Sequence, residues 1–225
     1  MTGITDNIEK ILPVLSEAEC LKGWTLVGGT ALAIQIGHRE SEDLDFMKWN
    51  FKGDCSVDWP AIRKELTAIF GSEPEMDLLG HEQVQFFVNG VKLSFFIADC
   101  RNPLKDTVPF TGNIILADID SIAIMKMELA LTRGKYRDYY DLYCIFKDRQ
   151  DIVPMAAETS RYTGHTIKSK FILSILTNKE RFAKDMRFQQ LNPKYDVDAV
   201  QIEQFFRTEI ASELGKFNEK EMINL

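Results

Sequence analysis

Several things are missing from this 225-residue chain, and each absence excludes something. Its four cysteines (Cys20, Cys55, Cys100, Cys144) are scattered, with no C-x-x-C pair, so no local thiol cluster argues for a metal or redox motif. Neither a signal-peptide pattern nor a long apolar run is present. A cytoplasmic, reduced protein without a membrane span is the expectation. Net positive charge is also lacking: the formal charge is −7, which argues against a general nucleic-acid binder, whose affinity is mostly phosphate neutralisation. Repeats and low-complexity tracts are absent. What is abundant is core material, with 45% hydrophobic residues and 15 Phe. That content suits one large domain or a domain with a helical extension.

The charge is unevenly placed. From Arg161 to Lys194 the basic residues Arg161, Lys168, Lys170, Lys179, Arg181, Lys184, Arg187 and Lys194 face only Glu180 and Asp185. The segment is either two solvated helical faces or a docking surface for RNA or another polyanion.

The most informative stretch is TLVGGTALAIQIGHRESEDLDF, Thr25–Phe46. It reads as a strand (Thr25–Val27), a Gly28–Gly29 turn, a helix opening at Thr30, a polar loop, and a second strand carrying Asp43 and Asp45. Strand side chains alternate, so the two carboxylates share one face while Leu44 and Phe46 point into the core. Paired hard oxygen ligands suit Mg²⁺ or Mn²⁺. The glycines let a phosphate approach the backbone, and the free N–H groups at the start of the following helix favour an anion. Thr30 caps that helix or offers its hydroxyl to a phosphate, and Arg39 neutralises phosphate charge.

Around this stretch the pattern is α+β. A helix over Thr5–Lys22, broken or kinked at Pro13, precedes the first strand, and Val57–Phe70 is helical with Pro60 in its first turn. Strands Val84–Val88 and Val91–Ile97 flank Asn89–Gly90, a strong hairpin signal, and should extend the sheet that holds the Asp strand. A strand over Gly112–Leu116 leads to a helix starting near Asp118, where Lys126 falls on the apolar stripe. It points either into a cleft beside carboxylate or phosphate, or snorkels from the stripe's edge. Next, Asp138 and Asp141 share a helix face that continues inward, with Lys126, Lys135 or Arg137 as partners; alternatively Asp138 is only a helix-start charge. Three more helices follow, Asp151–Arg161, Thr166–Thr177 and Val197–Leu214.

The order GG-T-A-L-A, then Arg39 and Ser41, then D-L-D-F resembles the nucleotidyltransferase superfamily, in the branch of the AbiEii/AbiGii toxins of abortive-infection and toxin–antitoxin systems. The run MKMELALTRGKYRDYYDLY (Met125–Tyr143) is similar to that branch's downstream motif. The resemblance implies a mixed-sheet nucleotidyltransferase core over residues 1–116, with a helical region over 117–225 completing the nucleotide cleft. It implies an NTP substrate, Mg²⁺ or Mn²⁺ on Asp43 and Asp45, and Lys126, Asp138 and Asp141 in the active site. Nucleotide contacts would come from Gly28, Gly29, Thr30, Arg39, Ser41, Lys135 and Arg137. It further implies an acceptor, with tRNA the leading candidate, and a cognate antitoxin. Superfamily members usually carry a third metal-binding carboxylate on a neighbouring strand, where this chain has Ser94; Asp99 at the strand's end is an imperfect substitute. Two other readings stay open: a nucleotide- or partner-binding scaffold that has lost activity, and a metal-dependent nuclease or other phosphotransferase.

Overall fold

The structure, a computed structural model, describes residues 3–49, 56–98, 104–182 and 185–216. The chain divides into two compact units, Met1–Asp118 and Ile119–Leu225. No described helix is long and apolar enough to cross a membrane.

The first unit contains α1 (Asp6–Leu15), β1 (Thr25–Val27), α2 (Gly28–Ile36), β2 (Asp43–Trp49), α3 (Trp59–Phe70), β3 (Glu75–Leu78), β4 (Gln83–Val88), β5 (Val91–Ala98), β6 (Thr107–Thr111) and β7 (Ile114–Ala117). The strands form one mixed sheet in the order β3-β4-β5-β2-β1-β7-β6. β2 runs parallel to β5, and β1 parallel to β7; the other pairs are antiparallel. The β4–β5 hairpin turns as its sequence requires, with Asn89 and Gly90 both at positive φ, +49° and +78°.

Two expectations need correction. The single helix over Thr5–Lys22 is instead α1 followed by a short 3-10 turn at Glu19–Leu21. Pro13 lies inside α1, only two residues before its end, where the chain turns away. β6 has no counterpart in the sequence reading. Its Pro109 argues against a strand, but β6 lies at the sheet's edge, where a missing N–H is tolerated.

One sheet face carries the core. Leu44 and Phe46 of β2 and Leu93 and Phe95 of β5 are buried, and Phe95 stacks on Phe46 with ring centroids 5.3 Å apart while meeting Trp24 edge-on at 5.1 Å. Helix α1 adds Ile8, Ile11, Leu12 and Leu15. By strand alternation the opposite face holds Asp43, Asp45, Lys92 and Ser94.

The second unit is helical: α4 (Ile119–Thr132), α5 (Tyr136–Phe146), α6 (Ile152–Tyr162), α7 (Ser169–Leu176) and α8 (Ala199–Leu214). α4 is central, packing on α5, α6 and α7, and buries the whole run 122–127, Lys126 included. α6 begins with no cap from its own Asp151. The buried Glu213 carboxylate of α8 accepts instead from the amides of Ile152 (2.9 Å) and Val153 (2.8 Å). One anion thus satisfies two first-turn donors and faces the positive end of the helix dipole. Glu213→Ala leaves two buried N–H groups unpaired and should lower unfolding stability by about 2–4 kcal/mol. Glu213→Gln, which keeps one acceptor, should lose roughly half as much. Urea melts check both; a loss under about 0.5 kcal/mol for Ala would show that water replaces the carboxylate.

Candidate active site

The Asp43–Asp45 region is built where β1 passes directly into α2. Val27 is extended, and Gly28 then takes φ +70°, a conformation that L side chains rarely adopt, so the strand becomes a helix within one residue. The helix therefore opens at Gly28, two residues before the expected Thr30. A Cβ on Gly28 would lie 3.3 Å from an Asp45 carboxylate oxygen, so the first backbone of α2 lies alongside that carboxylate.

What supports this junction is buried. A Cβ on Gly29 would come within 2.4 Å of an Arg39 terminal nitrogen, so the Arg39 guanidinium rests on Gly29, where it also donates to the Glu40 carbonyl oxygen at 2.8 Å. Thr30 and Ser41 are buried too. The Thr30 hydroxyl donates to the Asp43 carbonyl oxygen and hydrogen-bonds the Ser41 hydroxyl at 2.8 Å. Ser41 is tied further to the N-terminal segment, its amide donating to Gly3 and its carbonyl accepting from Thr5. The cap expected of Thr30 does not form, because the earlier helix start turns its hydroxyl towards β2. Thr30, Arg39 and Ser41 together fix the start of α2 against the start of β2.

On the sheet face, register sets the neighbours. Val27 and Ser94 flank Asp45 on β1 and β5, and Lys92 lies across from Asp43. Lys92 Nζ is 2.9 Å from Asp43 Oδ2. Ser94 is only 5% exposed, and its Oγ has no hydrogen-bond partner among the described residues. Two carboxylates and an unsatisfied hydroxyl on one face are a donor set that fits a hard divalent cation. Ser94 stands beside Asp45 where a third carboxylate would complete a larger cage. Among the described residues no three His, Cys, Asp or Glu side chains come together in that way, and Asp99 lies outside them.

A second polar cluster lies within the helical unit. Lys126 is 3% exposed, and its Nζ is 2.7 Å from both Asp138 Oδ1 and Asp141 Oδ2. The snorkelling alternative is thereby excluded. Both carboxylates are fully buried. Arg133 adds a fork on Asp138, with Nε 2.9 Å from Oδ2 and Nη2 3.1 Å from Oδ1. The quartet joins α4 to α5 and balances two positive against two negative charges, the condition under which buried ions are tolerated. Arg133 was not among the sequence-derived candidates. Its signal was its place in the short link between the two helices, just before Gly134.

The other expected cations have different partners. Arg137 binds Asp185 at 2.6 Å, and its guanidinium holds the Asp185 carboxyl below the ordinary carboxylate range. Lys135 is exposed at the start of α5. Much of the basic segment is engaged as well. The Arg181 guanidinium donates to the carbonyls of Leu131 (3.0 Å) and Ala130 (3.4 Å) at the end of α4, Lys179 reaches Glu203 (3.3 Å), and Arg161 pairs with Glu158. Lys168 and Lys170, where α7 begins, are exposed. Lys184 lies outside the described residues.

Comparison with known proteins identifies the family and the fold. Residues 10–214 match the family model described as nucleotidyl transferase AbiEii toxin, type IV TA system. An uncharacterised protein of Aquifex aeolicus is 27% identical over 192 residues, covering 82% of this chain and 85% of its own. Two crystal structures from Helicobacter pylori, JHP933 and a candidate nucleotidyltransferase, share the fold at 17% and 18% identity, each with a TM-score of 0.53; both cover 95% of this chain, and 96% and 97% of their own. With the Gly pair feeding a helix beside a two-carboxylate strand, and the family pattern spanning nearly the whole chain, this protein belongs to the AbiEii family of nucleotidyltransferase toxins.

Proposed function

We propose that the chain transfers a nucleoside monophosphate from an NTP to an acceptor hydroxyl, with a divalent cation, Mg²⁺ or Mn²⁺, held by Asp43 and Asp45. The observation that carries this reading is the approach of the Gly28 backbone to the Asp45 carboxylate, which brings a helix start and a metal-type carboxylate pair to one place. The N–H groups opening α2 bind phosphate oxygens, and Gly28 supplies the turn that presents them beside Asp45. Arg39, buried against Gly29, makes that helix start more electropositive without leaving its seat. When bound, the cation neutralises charge developing on the α-phosphate and the pyrophosphate leaving group. An acceptor oxygen then bonds to the α-phosphorus as the bond to pyrophosphate breaks, and the acceptor's proton leaves.

In the helical unit, we assign Lys126 and Arg133 the task of holding Asp138 and Asp141 in place. Lys135, exposed at the start of α5, is open to an anionic ligand, whereas Arg137 would have to exchange Asp185 for one. tRNA is the acceptor class we favour, supported by the exposed Lys168 and Lys170 and by the resemblance to toxins that act on it. A binding scaffold without transferase activity is the second reading, favoured by Ser94 standing where a third carboxylate would be. Pyrophosphate release separates the two.

Three measurements test this. Incubation with each labelled NTP, Mg²⁺ and total cell RNA or lysate should transfer label, and Asp43→Asn or Asp45→Asn should each abolish transfer while melting temperature stays within a few degrees; binding of NTP without pyrophosphate release would favour the scaffold. Lys126→Met removes the ammonium that both buried carboxylates share, leaving Asp138 with Arg133 but taking the 2.7 Å ion pair from Asp141, so it should cost about 3–5 kcal/mol of stability. Pairing it with Asp141→Asn should recover part of that loss, and a single-variant loss below about 1 kcal/mol would mean that the quartet is not an ionised network. RNA association should fall steeply with salt, and Lys168→Glu with Lys170→Glu should weaken it without changing NTP affinity. Salt-insensitive RNA binding, or none at low ionic strength, would direct the search to protein or small-molecule acceptors.

A further inference from the structure

Asp43 has a partner that neither phosphate binding nor the support under Gly29 accounts for. Lys92 lies opposite it across the parallel β2–β5 pair, with Nζ 2.9 Å from Asp43 Oδ2 and the two side chains 30% and 37% exposed. Further along the same pair, Asp45 faces Ser94, a buried hydroxyl with no partner among the described residues. This part of the face therefore holds two negative charges, one positive charge and one neutral oxygen. Two carboxylates against one ammonium leave a single net negative charge, which one divalent ion already overturns. A second such ion would add to an uncompensated positive charge with too few anionic oxygens to share. Paired-ion sites place their cations only about 4 Å apart and need bridging and flanking carboxylates to do it.

Resting on the reading of Asp43 and Asp45 as a metal pair, we propose that Lys92 is the resident cation of this face: it holds Asp43 when no metal is bound and takes the place of a second divalent ion, so that the pair admits only one. A compact, strongly hydrated ammonium on a flexible four-carbon stem suits that task, because it can withdraw towards solvent as a divalent ion arrives. Ser94 fits the same arrangement, since a neutral hydroxyl beside Asp45 can ligate an ion without supplying the charge that a second one would require.

The experiment is titration of the full chain with Mn²⁺ in the absence of nucleotide, which would bring an ion of its own, counting free Mn²⁺ by electron paramagnetic resonance. Wild type should bind one Mn²⁺. Lys92→Met, which keeps the stem, and Lys92→Gln should each bind Mn²⁺ about tenfold or more tightly, as removal of an adjacent positive charge requires. Asp45→Asn should abolish binding in either background, with circular dichroism reporting that each variant is folded. Two ions per wild-type chain, or wild-type affinity in both Lys92 variants, would overturn the role of Lys92 and leave the metal pair standing. No Mn²⁺ bound by any form, or binding indifferent to Asp45→Asn, would overturn the metal pair and this inference with it.

Discussion

The parallel pairing of β2 with β5 is the constraint on which the polar face of the first unit depends. It sets Asp43 against Lys92 and Asp45 against Ser94, and by the same alternation it sets Leu44 and Phe46 against Leu93 and Phe95. A slip of one residue would carry the aspartates into the aromatic core and the phenylalanines to the surface, so burial of Phe46 and Phe95 holds the polar face in register. The polar face is specified from behind, by the apolar packing of the opposite face.

The same separation between chemistry and support recurs at the start of α2. Gly28 and Gly29 present little but backbone, and what fixes them is buried below: Arg39 against Gly29, and Thr30 and Ser41 joined to the first residue of β2. These three residues belong to the most informative stretch of the sequence, where sequence reasoning gave Arg39 and Ser41 contacts with the nucleotide and left Thr30 as a cap or a phosphate ligand. A motif reports which residues gather in one place, but not the buried contacts that each one makes. Those depend on where the helix begins: with a start at Gly28 rather than Thr30, the Thr30 hydroxyl reaches β2.

Elsewhere, legibility followed the strength of the local signal. The Asn89–Gly90 hairpin, the Asp strand and the helices of the second unit lie within a few residues of where periodicity puts them, because each has an amphipathic stripe or a turn dipeptide of its own. β6 was invisible, since a short edge strand containing Pro has neither alternation nor propensity. Lys126 was legible as an anomaly, a charge on an apolar stripe, and its carboxylate partners followed from the spacing of Asp138 and Asp141. Arg133 was not, because a residue in a link between helices has no periodicity to place it. Nor was the engagement of Arg181 and Lys179: a count of basic residues cannot distinguish a guanidinium exposed to solvent from one closing the last turn of α4.

The cap on α6 has a consequence for the order in which the chain can be completed. Ile152 and Glu213 are 61 residues apart, so as the polypeptide leaves the ribosome the first turn of α6 emerges long before the carboxylate that accepts from it. Until then its amides can only be hydrated, and the helix starts without its counter-charge. The first turn of α6 thus gains its counter-charge only once α8 has been made, 61 residues later, and the early helices of the unit cannot be completed by local structure alone.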